Sequence, residues 1–170
     1  MTNTTPFGKE TIRPAEGQPI PWNEAANRFA AGCTLWMATV RGDGRPHVRP
    51  ILAVWVDDAL HVVASTSSRK WANLGRTTRC SLSTGAPALD LVVEGDVVRV
   101  TDAGTLRRVA DVYESKYDWP VEIRAAAFHA EGAPTAGPPP FHVFALAAAA
   151  AYGFATDETF EDRSTRWCFA

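Results

Sequence analysis

The feature that most restricts the fold is a run of three short strand-like segments joined only by tight turns. The segment CTLWMATV (33–40) leads into the turn RGDGRP (41–46), and PHVRPILAVWV (46–56) follows it. A second turn at Asp57 leads into ALHVVAS (59–65). Asp-Gly turns of this kind close hairpins, whereas parallel strands need crossover connections of a dozen or more residues. The sequence therefore predicts an antiparallel meander here.

Strands outnumber helices in the remainder of the chain. TLRRVADVYESKY (105–117) has one apolar stripe at helical spacing and is the clearest helix. FHVFALAAAAAYGFAT (141–156) contains an alanine run of high helix propensity, but large apolar residues alternate at both its ends, so we predict a strand. Gly95 lies inside the strand segment 88–102, where we expect a bulge or sharp bend. The other predicted elements are helices at 21–32 and 69–76 and strands at 79–85 and 165–169.

These elements predict a mainly β protein, an antiparallel barrel of six or seven strands with short covering helices. There is no GxGxxG or GxxxxGK[ST] motif, which argues against a Rossmann or P-loop fold. Residues 1–21 hold four prolines and little periodicity. We predict an N-terminal arm over 1–21 and a single domain over 22–170.

Composition excludes several classes of partner. Of 170 residues, 46% are hydrophobic and the net charge is −2, so no global basic excess is present to bind nucleic acid. Cys33, Cys80 and Cys168 have no metal-type spacing and are predicted to be free buried thiols. The first residues lack a signal-peptide pattern, and the longest apolar stretch, 143–155, is too short to cross a bilayer. We therefore expect a cytoplasmic protein without membrane or nucleic-acid partners.

Alternation along the segment 46–56 predicts two different strand faces. One face changes from charged to apolar along its length, which suits a ligand with a phosphate at one end and a flat ring at the other. The opposite face is entirely apolar and is expected to pack on the core. The first face consists of His47, Arg49, Ile51, Ala53 and Trp55, and the second of Val48, Pro50, Leu52, Val54 and Val56.

The segment STSSRKWANL (65–74) places four hydroxyl residues and two cations at the start of a predicted helix. Because the two preceding strands are neighbours in the meander, Arg49 is expected to lie near Arg69 and Lys70. Hydroxyls, cations and the free N–H groups of a helix start are phosphate donors, so the pattern predicts a site for a dianion. A simpler interpretation also fits, with a serine as helix N-cap and the three cations solvated.

These motifs together resemble the pyridoxamine 5′-phosphate oxidase-like superfamily of flavin- and deazaflavin-binding split β-barrels. DGRPHVRPI (43–51), SRKWANL (68–74) and the ending AYGFATDETFEDRSTRWCF (151–169) are especially similar to its actinobacterial branch. The resemblance covers roughly residues 25–170. It implies a six-stranded antiparallel split barrel, two protomers paired through the barrel face, and FMN or coenzyme F-420 in a groove at the dimer interface.

The resemblance also implies site residues. Arg49 and the pair Arg69 and Lys70 match residues that bind the cofactor phosphate, and Asn73 matches an amide near the phosphate or ribityl end. Trp167 belongs to the tail motif, either near the partner's cofactor or in plain strand packing, and the same holds for Arg166. No catalytic residue or metal ligand is assigned. The candidate cofactor-binding residues are Arg49, Pro50, Ile51, Leu52, Ala53, Ala64, Ser65, Thr66, Ser68, Arg69, Lys70, Asn73 and Trp167.

Two departures argue against pyridoxamine phosphate oxidation itself. Ala53 and Val54 stand where the oxidase carries a lysine near the flavin, and the oxidase's C-terminal substrate-phosphate pattern is not evident. The aromatic residues Tyr113, Tyr117 and Trp119 fit either a substrate pocket or a core or interface role. Among the four histidines, His47 is the most interesting one, because it shares a strand face with Arg49.

The predicted function is oxidoreduction, with a hydride transferred between FMN or F-420 and an unidentified small organic substrate. The protein would supply position and electrostatics. One alternative is a non-catalytic carrier of FMN, F-420 or haem, and another is a structural dimer without a working site. The acidic tail of F-420 would need extra basic surface, for which Lys9, Arg13 and Arg28 are candidates.

Overall fold

The computed structural model describes residues 6–12, 18–31, 34–134, 137–160 and 163–170, so Arg13 and Cys33 lie outside the described residues. Within the described part, the chain forms eleven strands, three α-helices and a short 3-10 helix at Glu158–Phe160. The helices are α1 (Trp22–Ala31), α2 (Arg69–Leu74) and α3 (Ala103–Tyr117). The strands are β1 (Gly8–Thr11), β2 (Leu35–Val40), β3 (Pro46–Ile51), β4 (Ala53–Val56), β5 (Ala59–Ser65), β6 (Arg79–Ala86), β7 (Leu89–Arg99), β8 (Glu122–Arg124), β9 (Ala127–His129), β10 (Phe141–Ala155) and β11 (Ser164–Cys168).

Seven of these segments form the antiparallel split barrel that the sequence predicts. Strands β10, β7, β6, β2 and β3 are hydrogen-bonded in that order, and β5 joins β10 to β4. β3 and β4 are consecutive, so the chain itself completes the circuit where strand pairing is interrupted at Leu52. The prediction of a mainly β split barrel with short helices is therefore confirmed.

The interruption at Leu52 is stabilised by two tyrosines of α3. The Tyr113 hydroxyl donates to the Leu52 carbonyl oxygen at 2.9 Å. The Tyr117 hydroxyl donates to the Ala53 carbonyl oxygen at 2.8 Å and accepts from the Ala53 N–H at 3.3 Å. Backbone groups that lose their strand partners need others, and these hydroxyls provide them.

Of the two predicted faces of the segment 46–56, the apolar one does not pack on the core in its first half. Val48 is 45% exposed and Pro50 is also exposed, whereas His47 is buried. The expectation of one continuous strand failed because the chain changes partner from β2 to β5 at Leu52. Alternation holds only while a strand keeps one pair of faces.

The long strand β10 connects the two parts of the barrel. Its first half pairs with β5, its second half pairs with β11, and β7 runs along its other edge. The alanine run is therefore strand, as predicted. A register shift occurs between Ala148 and Ala150 in β10 rather than in β7, opposite Gly95. A Cβ at Gly95 would overlap the Ala147 carbonyl, so the glycine permits this bulge on the facing strand.

The apolar side chains form two clusters, one inside the barrel and one beneath α3. Trp167 is fully buried in the first cluster and donates from Nε1 to the Ile20 carbonyl oxygen at 3.0 Å. Tyr113 and Trp119 are buried in the second, which is the core interpretation of that aromatic group. The predicted arm contributes β1, which pairs with β11, and the boundary at residue 21 stays a prediction.

Two further expectations concern thiols and membranes. Cys80 and Cys168 are free and half-buried, and burial raises the pKa of the Cys80 thiol to about 12. In the described part of the chain, no helix has the length and apolar character needed to span a bilayer.

Candidate functional site

A pocket of about 860 Å³ lies where β3, the loop after β5 and the proline-rich loop before β10 meet. Its lining combines cationic and hydroxyl side chains with apolar ones. Its volume falls in the range of small-molecule sites. The described lining residues are Thr34, Met37, Thr39, His47, Arg49, Pro50, Ile51, Leu52, Ser65, Ser67, Ser68, Arg69, Lys70, Pro134 and Gly137.

The serine loop is shaped by its own hydrogen bonds. Ser68 is the N-cap of α2: its Oγ accepts from the Trp71 N–H at 3.1 Å and donates to the Ser65 carbonyl oxygen at 2.7 Å. The Ser65 Oγ donates to the Pro138 carbonyl oxygen at 2.5 Å, which holds the proline-rich loop against the serines. Gly137 has a φ of +96°, and a Cβ there would lie 2.7 Å from the Ser65 Oγ, so glycine allows this close approach.

Two arginines face the pocket from different elements. Arg49 extends from β3, Arg69 begins α2, and both are exposed. Arg49 donates from Nη1 to the Val48 carbonyl oxygen at 2.8 Å. None of the described lining residues is acidic. The N-cap interpretation of Ser68 is thus correct, and it coexists with a cationic, acid-free pocket.

Lys70 is the least solvated cation of the pocket. Its Nζ donates to the Val63 carbonyl oxygen at 2.6 Å, and burial lowers its pKa to about 8. Burial disfavours the charged form of an amine because the charge loses its hydration. An anion in the pocket would stabilise the charged form of Lys70, so the site suits a negatively charged ligand.

Behind the cations lies a buried polar chain that sequence reasoning identified only in part. Asn73 is buried and donates from Nδ2 to the Thr39 Oγ1 at 2.9 Å. Thr39 Oγ1 lies 3.3 Å from the His47 Nδ1. Asn73 therefore acts through Thr39 rather than lining the pocket itself. Thr39 was missed, although its place two residues from Met37 on β2 gives it the same strand face.

The pKa of His47 is lowered, first by burial and then by the positive charges of surrounding cations. Those cations are Arg49, Arg41, Arg69 and Lys70. Three of these cations, Arg49, Arg69 and Lys70, line the pocket together with His47.

Most of the predicted site residues meet at this pocket. Those that line it are Arg49, Pro50, Ile51, Leu52, Ser65, Ser68, Arg69 and Lys70. Five do not line it. Ala53 and Ala64 are buried and Thr66 is exposed. Asn73 lies behind Thr39, and Trp167 lies in the barrel core. Thr34, Pro134 and Gly137 were missed, because nothing local in the sequence shows that these segments meet the serine loop.

The lining residues fit a ligand that carries both a phosphate and a flat ring. Hydroxyls and cations bind phosphate oxygens, and Met37, Ile51 and Leu52 offer apolar contact for a flat ring system. Fold and pocket together define a split barrel with the features of a phosphorylated-cofactor site.

The family described as pyridoxamine 5′-phosphate oxidase matches residues 23–155, most of the chain, so the protein belongs to this family. No curated protein matches the chain.

Solved structures support the same fold at low identity. A pyridoxamine 5′-phosphate oxidase-related, FMN-binding protein from Nostoc punctiforme is 15% identical, with 89% of this chain and 98% of that one covered and a TM-score of 0.52. An F-420 reductase is 20% identical, with 74% and 93% covered and a TM-score of 0.51. A heme binding protein from Mycobacterium smegmatis is 16% identical, with 81% and 55% covered and a TM-score of 0.57. At such identities the likeness is one of fold.

Proposed function

We propose that the protein binds FMN or coenzyme F-420 in this pocket and transfers a hydride between it and a small organic substrate. The observation that carries the proposal is a pocket lined by cations, hydroxyls and apolar side chains, with no acidic residue among its described lining. Solved neighbours described as FMN-binding and as an F-420 reductase support this choice of cofactor.

The chain's own residues have a binding and positioning role. Arg49, Arg69 and the Ser68 region would hold the phosphate, while Ile51 and Leu52 would contact the ring. When bound, the cofactor supplies the hydride chemistry, and the protein determines which substrate reaches it. Ala53 and Val54 stand where the oxidase carries a lysine near the flavin, which favours a substrate other than pyridoxamine phosphate.

The experiment is a titration of the purified protein with FMN and F-420, followed by absorbance and fluorescence. The double variant Arg69→Ala with Lys70→Ala removes two charge-assisted contacts of about 1.5–3 kcal/mol each. We expect affinity to fall roughly 100- to 10,000-fold. A matched control, Arg79→Ala with Arg107→Ala, removes two exposed cations that do not line the pocket. Equal affinity in the two double variants contradicts the assignment.

The second candidate is a non-catalytic carrier of FMN, F-420 or haem. It is favoured by the presence of His47 in the pocket lining, since histidine is a common haem ligand, and by the haem-binding neighbour. A Soret band that depends on His47 after haem addition would support this candidate. Turnover of bound, reduced cofactor by quinone-like acceptors would support the enzyme instead.

We also propose a homodimer formed through the outer face of β2 and β3. Trp36, Val40 and Val48 are 45%, 42% and 45% exposed and share this face with Pro46 and Pro50. Apolar groups of this kind on a sheet mark interfaces, and Pro50 also lines the pocket, so a second copy here would border the ligand. Light scattering should give twice 18.4 kDa for the wild type and one copy for Val48→Arg. A wild-type monomer contradicts the proposal. A cytoplasmic location stays a prediction from the sequence.

A further inference from the structure

We propose that His47 is a ligand-binding residue of the pocket, and that Asn73 and Thr39 position it to donate from Nε2 to a phosphate oxygen of the bound ligand. This inference rests on the proposed function for the identity of the ligand. It goes beyond that function by adding a donor that is not among the candidate cofactor-binding residues.

Asn73, Thr39 and His47 are linked by hydrogen bonds whose directions follow from their donor and acceptor atoms. Asn73 Nδ2 is a donor, so Thr39 Oγ1 accepts from it at 2.9 Å. The single hydroxyl proton of Thr39 is then available to another acceptor. Two acceptors lie within reach, the His47 Nδ1 at 3.3 Å and the His47 carbonyl oxygen at 3.5 Å. The ring nitrogen is the nearer one.

We assign the tautomer of His47 from the contact between Thr39 Oγ1 and the ring Nδ1. An imidazole that accepts at Nδ1 carries its proton at Nε2 when it is neutral. Burial and the neighbouring cations Arg49, Arg41, Arg69 and Lys70 lower the pKa of His47, which keeps the ring neutral near pH 7. The ring therefore presents one donor at Nε2 and adds no further charge to a crowded group of cations.

The Nε2–H group of His47 belongs to a residue that lines the pocket. His47 is 7% exposed and yet lines the pocket, so its small accessible surface belongs to the cavity. The structure shows no partner for Nε2 within the described residues. Arg49 lies two residues further along the same strand and faces the same pocket. A phosphate held by Arg49 would thus have the Nε2–H donor on the same side.

The polar chain of Asn73, Thr39 and His47 is buried. Asn73 and Thr39 are both 3% exposed, and burying polar groups costs free energy unless each has a partner. Their bonds run from α2 through β2 to β3 and end at the ring of His47, which lines the pocket. An apolar trio would pack here without that cost, so a binding role for the last member explains the whole chain.

The test compares His47→Ala, His47→Gln and His47→Asn in titrations with FMN and with riboflavin, which lacks the phosphate. The glutamine amide reaches the place of Nε2, whereas the asparagine amide reaches only that of Nδ1. We expect His47→Ala and His47→Asn to weaken FMN binding about 10- to 100-fold. We expect His47→Gln to restore most of it, and riboflavin affinity to change little in every variant. His129→Ala is the control, because His129 does not line the pocket.

A second measurement is independent of cofactor chemistry. Nitrogen-15 NMR of wild-type His47 should report the Nε2–H tautomer, and inorganic phosphate should shift the Nε2 signal. Thr39→Val keeps the shape of the side chain but removes the hydroxyl, and it should populate the other tautomer while the protein stays folded.

The outcomes separate the two proposals. FMN or phosphate binding that survives His47→Ala and leaves the Nε2 signal unmoved overturns the role of His47 but leaves the proposed function intact. A wild-type protein that binds neither FMN, F-420 nor inorganic phosphate overturns both. A loss in His47→Ala that His47→Gln rescues for FMN alone supports the inference.

Discussion

Replacing Lys70 by methionine should make the unliganded protein more stable and its pocket less able to bind an anion. Methionine keeps an unbranched side chain of similar length but carries no charge. In the native protein, burial lowers the pKa of Lys70 from 10.5 to about 8 while its Nζ donates to the Val63 carbonyl oxygen. Removing a charge that the fold desolvates should therefore relieve an unfavourable term.

The magnitude follows from that pKa. Each pKa unit corresponds to about 1.36 kcal/mol, so the charged form of Lys70 costs about 3 kcal/mol in the folded protein at pH 7. Loss of the bond to the Val63 carbonyl offsets about 1 kcal/mol of the gain. We expect the free energy of unfolding of Lys70→Met to rise by about 2 kcal/mol at pH 7.

The pH dependence has a definite sign. Between about pH 8 and 10.5 the unfolded chain holds a proton on Lys70 that the folded protein has released. Stability then rises with pH, because the unfolded state binds more protons. The wild type should gain about 2 kcal/mol relative to Lys70→Met from pH 8 to about pH 9.5, and the advantage of the variant should vanish above that range.

The assay is urea unfolding of both proteins at pH 7, 8 and 9.5, without ligand and with excess FMN. Lys9→Met is the matched control, since Lys9 is exposed on β1 and should give no pH-dependent difference. With FMN present the order should reverse, because only the wild type gains ligand stabilisation at this position. A less stable Lys70→Met protein at pH 7, or parallel pH profiles for the two proteins, would refute the reasoning.

Three further changes test the fold around the site. Gly95→Ala should lower the free energy of unfolding by roughly 1–3 kcal/mol in urea titration, because the new Cβ meets the facing β10 carbonyl. The control is Gly85→Ala, an exposed position whose nearest atom lies 3.4 Å away, which should change this free energy by less than about 0.5 kcal/mol. Similar losses in the two variants would count against the bulge argument. Ser68→Ala should lower the free energy of unfolding by about 1 kcal/mol, because it removes the N-cap of α2. It should also weaken FMN binding. Calorimetry that shows neither change would exclude both roles of Ser68. Tyr117→Phe should cost about 1 kcal/mol through its lost bonds to Ala53; an unchanged melting temperature would show that the strand interruption does not depend on that hydroxyl.

Much of the barrel follows from local pattern. Turns at Asp43 and Asp57 separate segments whose residues favour strands, and β2, β3 and β5 form where that pattern predicts them. The alanine-rich β10 is strand against its intrinsic propensity, because it is paired along both edges. The bulge expected at Gly95 is found one strand away, since a glycine shows where space is needed but not which strand uses it.

The candidate site also contains some residues that could be predicted from the sequence and others that could not. Arg49, Arg69 and Ser68 could be predicted because their residue types and spacing resemble a family motif, and all three line one pocket. Thr34 and Gly137 could not, because they reach the pocket from segments distant in sequence. Asn73 was expected at the ligand but bonds to Thr39, a distinction that depends on how α2 packs on β2.

Sequence alone determined the class of fold, the meander at its start and the presence of a basic, hydroxyl-rich segment, because period-two patterning, turn chemistry and charge are local properties. Only the tertiary structure decided which face of β3 is exposed, that Trp167 lies in the core, and that Lys70 is desolvated. Those properties depend on neighbours many residues away, which burial and barrel closure bring together. The physical reason is that solvation belongs to the packed environment of a side chain and not to its residue type.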